Sequence, residues 1–235
     1  MKKTNRTNRL AGLALLALAV LAGNAAGANA EDVPKSKREA ASTWSEQGLQ
    51  KITAKGLDAF YARPDVNFAE YTKVLLKPVS VAFRRGWLMT PLPGSRDRIS
   101  RQDAQRIRER LGALVQEEVA AELARGGYPL SASAGDDVLE VNLSIVDLFI
   151  TAPNVRNSTP SSTYAISAGE MSLVADLRDS ASGNVLARAF DHASAHESTW
   201  PHQITSVENT AEARAAAAAW ARALRAELDA AKSLH

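Results

Sequence analysis

Apolar and polar side chains alternate from Val138 to Ile150: Leu139, Val141, Leu143 and Ile145 share one side, Glu140, Asn142 and Ser144 the other. A two-residue period marks a strand with one buried and one polar face, so it commits the chain to a sheet. The period returns from Tyr164 to Leu177, with Met171, Leu173, Ala175 and Leu177 on one side and Glu170, Ser172, Asp176 and Arg178 on the other. Asp179-Ser180-Ala181-Ser182-Gly183-Asn184 then supplies turn chemistry, and Val185 to Phe190 predicts the returning arm of a hairpin.

Two helical periods flank these strands. Ser100, with Asp103 three residues on, predicts an N-cap, and Ile107, Leu111, Leu114, Val115, Val119 and Leu123 continue at helical spacing until Gly126-Gly127. The second helix is predicted from Val207 to Leu234, with Trp220, Leu224 and Leu228 at four-residue steps among alanines. Upstream, the β-formers of Tyr71 to Phe83 predict a strand, bent or at an edge around Pro78. Tyr128 to Leu130 is a candidate short extra strand, and Leu49, Ile52, Leu57, Phe60 and Tyr61 predict a short helix or an irregular packed segment. The expected class is α+β: a mainly antiparallel sheet of about four strands covered on one face by two long helices, a two-layer sandwich.

The N-terminus addresses the chain. Lys2, Lys3, Arg6 and Arg9 precede an apolar stretch from Leu10 to Leu21, and Ala28-Asn29-Ala30 has the small-residue form of a cleavage site. The apolar stretch is shorter than the about 20 residues that span a bilayer. Residues 1–30 therefore predict a signal peptide, 31–46 a flexible polar tail and 47–235 a single α+β domain. Processing near Ala30, with Ala28 and Ala30 as the cleavage residues, leaves 205 of the 235 residues. Four of the 28 basic side chains and none of the 26 acidic ones fall in the leader, so the remainder carries 24 against 26 and offers no general argument for nucleic acid. No later segment is apolar for long enough to span a membrane. The absence of cysteine excludes disulfides, a thiol nucleophile, a thiolate zinc site and the acylated cysteine of a lipoprotein. The expected location is the periplasm, without a lipid anchor.

Several of these segments resemble one bacterial family. Lys55-Gly56-Leu57, Tyr61-Ala62-Arg63-Pro64 and Tyr71-Thr72-Lys73-Val74-Leu75-Leu76-Lys77-Pro78-Val79 look like the opening block of the family catalogued as domain of unknown function thirty-three-thirteen. Val138-Leu139-Glu140-Val141 with Asp147, and the stretch from Ala175 to Ala187, are similar to its two central strands and hairpin turn. The resemblance runs from about Leu49 to the C-terminal helix and implies an exported, envelope-associated protein of Gram-negative bacteria. Many members are lipoproteins, a habit from which this cysteine-free chain departs. The resemblance carries over no catalytic residue.

Three features are candidates for chemistry. His192, His196 and His202, with Asp191 and Glu197 nearby, would suit zinc or copper, since imidazole ligates both; exposed histidines beyond a strand end are the plainer reading. No other cofactor is predicted. Arg84, Arg85, Arg96, Arg98 and Arg101, around Trp87, form a basic stretch for an anionic envelope partner, or a solvated helix face whose arginines pair with Asp97, Asp103 and Glu109. Trp44, Trp87 and Trp200 could stack on sugars, with packing the commoner use. The loop from Thr151 to Thr163 is longer than hairpin loops usually are and would sit near a partner. There is no Gly-x-Ser-x-Gly, phosphate loop or His-Glu-x-x-His. The chain reads as a non-catalytic binding or structural accessory domain of the envelope, its partner a protein, a lipid headgroup or a cell-wall polymer. The alternatives are an envelope enzyme and a metal-binding protein, both using histidines 192–202.

Overall fold

The computed structural model describes residues 37–91, 98–150, 163–165, 169–194, 202–204 and 206–232. Its centre is β5 (Val138–Ile150), antiparallel to β7 (Gly169–Asp179), which pairs antiparallel with β8 (Val185–Ser194). Beyond β8 lie β2 (Ala59–Ala62) and β1 (Gln50–Ile52), again antiparallel. On the other edge of β5, β3 (Lys73–Leu76) and β4 (Ser80–Phe83) run parallel to it in tandem. They are the two halves of the strand anticipated at 71–83, and Pro78, which has no N–H to give a ladder, lies in the break between them.

The sheet thus has seven strands of mixed direction, where about four antiparallel strands were expected. The difference arises at α2 (Arg101–Arg125), which leaves β4 and delivers the chain into β5. A crossover of this length joins parallel strands, whereas a tight turn joins antiparallel ones. The remaining pair comes from the segment read as helical or irregular. Phe60 and Tyr61 are adjacent and both buried, but they pack on opposite faces of β2, a period of two and not of 3.6.

Helices cover both faces. On one, α2 and α3 (Ser206–Lys232) lie over Leu139, Val141, Leu143, Ile145, Leu173, Ala175 and Leu177 with Leu111, Val115, Val119, Leu123 and Trp220. The other carries α1 (Lys37–Glu46), formed by residues expected to be a flexible tail. α1 buries Ala40 and Trp44, one turn apart, against Ala59, Tyr61, Val174 and Phe190. The Trp44 ring meets Tyr61 edge-on at 5.6 Å and 76°. Three apolar residues in ten, two of them single methyl groups, leave a stripe too narrow to show in composition, yet a buried tryptophan is enough to dock a helix. The arrangement has three layers, which corrects the two-layer, one-faced expectation.

The other sequence expectations can be placed directly. Ser100 caps α2, its Oγ accepting from Asp103 N at 3.0 Å, and the helix ends at Gly126. The turn between β7 and β8 closes where predicted, with Asp179 N donating to Asn184 O. Leu130 makes an isolated parallel bridge with Val74. A separate two-stranded ribbon pairs β6 (Thr163–Ala165) with β9 (His202–Ile204). Residues 1–36, with Ala28 and Ala30, lie outside the described residues, as does the 151–163 loop apart from Thr163.

Candidate functional site

The two covering helices run parallel. Cross-helix pairs advance in the same direction along both: Glu118 with Arg214, then Glu122 with Arg225, and just past the end of α2 Tyr128 with Asp229. Over the C-terminal half of α2 this seam is closed. Trp220 is buried under α3, and its indole N–H donates to Asp191 Oδ2 on β8 at 2.7 Å. Asp191 Oδ1 also accepts from Asp58 N at 3.0 Å, and burial holds the carboxyl above its usual range. Gly126 permits the approach, because a Cβ there would come within 2.7 Å of the Arg225 side chain. Tyr128 donates to Asp229 at 2.9 Å, and its hydroxyl is pushed up by burial and by that acceptor.

Over the N-terminal halves the seam opens. A cleft of about 740 Å³ lies between α2 from Arg106 to Glu117, α3 from Thr210 to Ala216, and the end of the sheet. The cause is in the sequence of α3. Where the closed half has Trp220, the open half has Ala213 and Ala216, single methyl groups that leave Leu114, Leu148 and Met171 without a large partner across the gap. The floor is adjusted by a bulge in β5. Asp147 takes a left-handed conformation, φ 51°, and the β5–β7 register shifts between Val146 and Phe149. Core-facing residues are odd-numbered up to Ile145; after the bulge the core-facing residue is Leu148. Gly169 completes the floor. A Cβ there would sit 2.5 Å from Phe149 O.

Charges gather at the rim. Glu170 pairs with Arg84, Arg214 with Glu118 and Arg106 with Asp103. Arg84 also lies over the Phe149 ring, 5.1 Å from its centroid. Arg110, exposed, has no ion pair among the described residues; Glu117 and Glu212 are the other rim acids. A wall mainly of hydrocarbon with a few charged groups at its mouth is the usual composition of a small-molecule site.

The residues singled out from sequence do not define this cleft. Of the arginines, Arg84 is committed to Glu170 and Phe149, Arg85 and Arg98 are exposed, and Arg101 is exposed at the start of α2; Arg96 lies outside the described residues. Trp87 is buried, stacked on Phe83 at 4.7 Å, and Arg108 lies over Phe83, so the basic stretch is threaded with aromatic packing. Trp44 is buried under α1, and Trp200 lies outside the described residues. His192 is exposed on the α1 face of β8, its Nδ1 3.0 Å from the hydroxyl of buried Ser172 on β7. His196 lies outside the described residues, and of His202 only the backbone, in β9, is described. Among the described residues no three His, Asp or Glu side chains form a metal-sized group. The cleft itself was missed, although the run Ala213-Arg214-Ala215-Ala216 in a packed helix was its available signal.

Fold and site together define a domain with helices on both faces of a mixed sheet and a large apolar cleft between its parallel helices. The chain belongs to the family described as protein of unknown function (DUF3313), whose model matches residues 39–224. No curated protein matches it. Among solved structures it is similar to the PelC dodecamer from Paraburkholderia phytofirmans, at 12% identity and TM-score 0.33, over 75% of this chain and 94% of that one. It is also similar to a candidate lipoprotein from Caulobacter crescentus CB15, at 16% identity and TM-score 0.36, over 71% and 93% of the two chains. A DUF4136 family protein from Bacteroides thetaiotaomicron VPI-5482 shows 12% identity and TM-score 0.32, over 76% and 97%. These scores are too low to establish a common fold. No described helix is long and apolar enough to cross a membrane.

Proposed function

We propose that this protein is an exported binding domain of the Gram-negative cell envelope, held in the periplasm, that acts without catalysis. The observation that carries the reading is the cleft, a cavity of about 740 Å³ walled mainly by aliphatic side chains. Its wall offers hydrophobic contact over a large area, and several of its charged groups are already neutralised in pairs: Arg84 with Glu170, Arg214 with Glu118, Arg106 with Asp103. Such a wall seats a ligand; it does not poise an acid against a base. The leader-like segment from Lys2 to Ala30 supports export.

Expression of the full chain in a Gram-negative host tests both halves of the reading. Osmotic shock is expected to release a product whose intact mass begins at Glu31, and native mass spectrometry to find it carrying a non-covalent adduct that Ala213→Phe removes. Retention of the unprocessed chain in the cytoplasm overturns the location. An adduct-free protein that also fails to take up apolar probes overturns the binding role.

A further inference from the structure

We propose that the cleft takes a single-chain anionic amphiphile of the fatty-acid class, its hydrocarbon chain between α2 and α3 and its head at Arg110; this rests on the binding role proposed above. The shape favours one chain. Ala213 and Ala216 keep one wall flat, Leu114, Leu148 and Met171 face them, and the Arg214–Glu118 pair bridges the helices at the rim. Its volume lies within the range of about 300 to 1,000 Å³ typical of ligand sites.

The sign of the head follows from three features. Arg110 is exposed at the mouth with no ion pair among the described residues, whereas Arg106 and Arg214 are held by acids. α2 and α3 are parallel, so both helix dipoles turn their positive ends toward the open half. The rim acid on α2, Glu117, stands seven residues further along, about 10 Å at 1.5 Å per residue. On α3 the acid is Glu212, half-buried in the lining beside Ala213. A head at Arg110 therefore meets a guanidinium with free donors, and the chain behind it meets carbon.

The test is fluorescence titration of the delipidated full chain with cis-parinaric acid, followed by displacement with dodecanoate and with dodecanol. Saturable binding is expected, with dodecanoate displacing the probe at about tenfold lower concentration than the alcohol, a difference of about 1.4 kcal/mol. Arg110→Glu should weaken the probe itself and remove that preference once each displacement is corrected for the probe's own affinity. Ala216→Phe, and Ala213→Leu should the first fail to fold by circular dichroism, should weaken the probe about tenfold or more by occupying the cleft. Equal displacement by acid and alcohol overturns the anionic assignment but leaves the cleft a binding site. Undiminished binding in a folded, cleft-filled variant overturns the location. A folded chain that binds neither acid nor alcohol overturns this inference and the binding role together.

Discussion

The seam between α2 and α3 is two regions of opposite character built from one pair of helices. Its C-terminal half is stitched by Trp220, the Glu122–Arg225 pair and the Tyr128–Asp229 hydrogen bond; its N-terminal half opens over Leu114, Leu148 and Met171. Both halves are built from continuous helix, and they differ in side-chain volume along α3. Along α3 the dense half carries an indole where the open half carries two methyl groups. Stability and binding capacity are thereby separated along a single element, the first drawn from dense packing and the second from its withdrawal.

The comparison can be broken most forcefully at its dense end. Trp220→Ala removes a fully packed ring and orphans Asp191 Oδ2, and should destabilise the fold by about 3–5 kcal/mol in urea unfolding. A loss under about 1 kcal/mol would mean that the two halves do not differ. Next comes the floor of the open half. Gly169→Ala drives a Cβ into Phe149 O and should cost about 1–3 kcal/mol, measured the same way. Ala216→Leu, by contrast, adds volume where space exists, and its stability should stay within about 1 kcal/mol of the parent or rise. Severe destabilisation there would show that the cleft is already filled.

The smallest effect concerns pH. Burial raises Asp191 above its usual range in the folded state, opposed by the hydrogen bonds from the Trp220 indole and the Asp58 backbone N–H and by His192, while the Asp58 charge adds to the shift. The folded chain therefore holds this proton longer than the unfolded one. Its contribution is fully present below the unfolded value and declines as pH rises through the folded one. Asp191→Asn should flatten that part of the stability–pH curve, read from urea midpoints between mildly acidic and neutral buffer. An unchanged slope would remove Asp191 as its source.

What could be read from the sequence was local. The alternation of Val138–Ile150, the Asp179–Asn184 turn and the Ser100 cap each depend on neighbours within a few residues, and each is found where expected. What could not be read was relational. Strand direction beside β5 depends on how α2 crosses back, which no periodicity records. Ala40, Ala41 and Trp44 look like scattered apolar residues in a polar run until the face that receives them is known. The cleft is a deficit of volume between two helices, and only their pairing reveals it. His192 and the Arg84 region drew attention for their chemistry, yet Arg84 serves packing and pairing, and His192 faces away from the cleft.

The split strand at the edge of the sheet has a consequence for association. β3 and β4 are four residues each, divided at Pro78, with Leu130 bridged to Val74; β1, at the opposite border, is three residues long. Neither border offers a long straight ladder of unused amides for a foreign strand to copy. A partner that docks on these two borders must recognise the shape and charge of side chains, because the unused backbone there comes only in short runs.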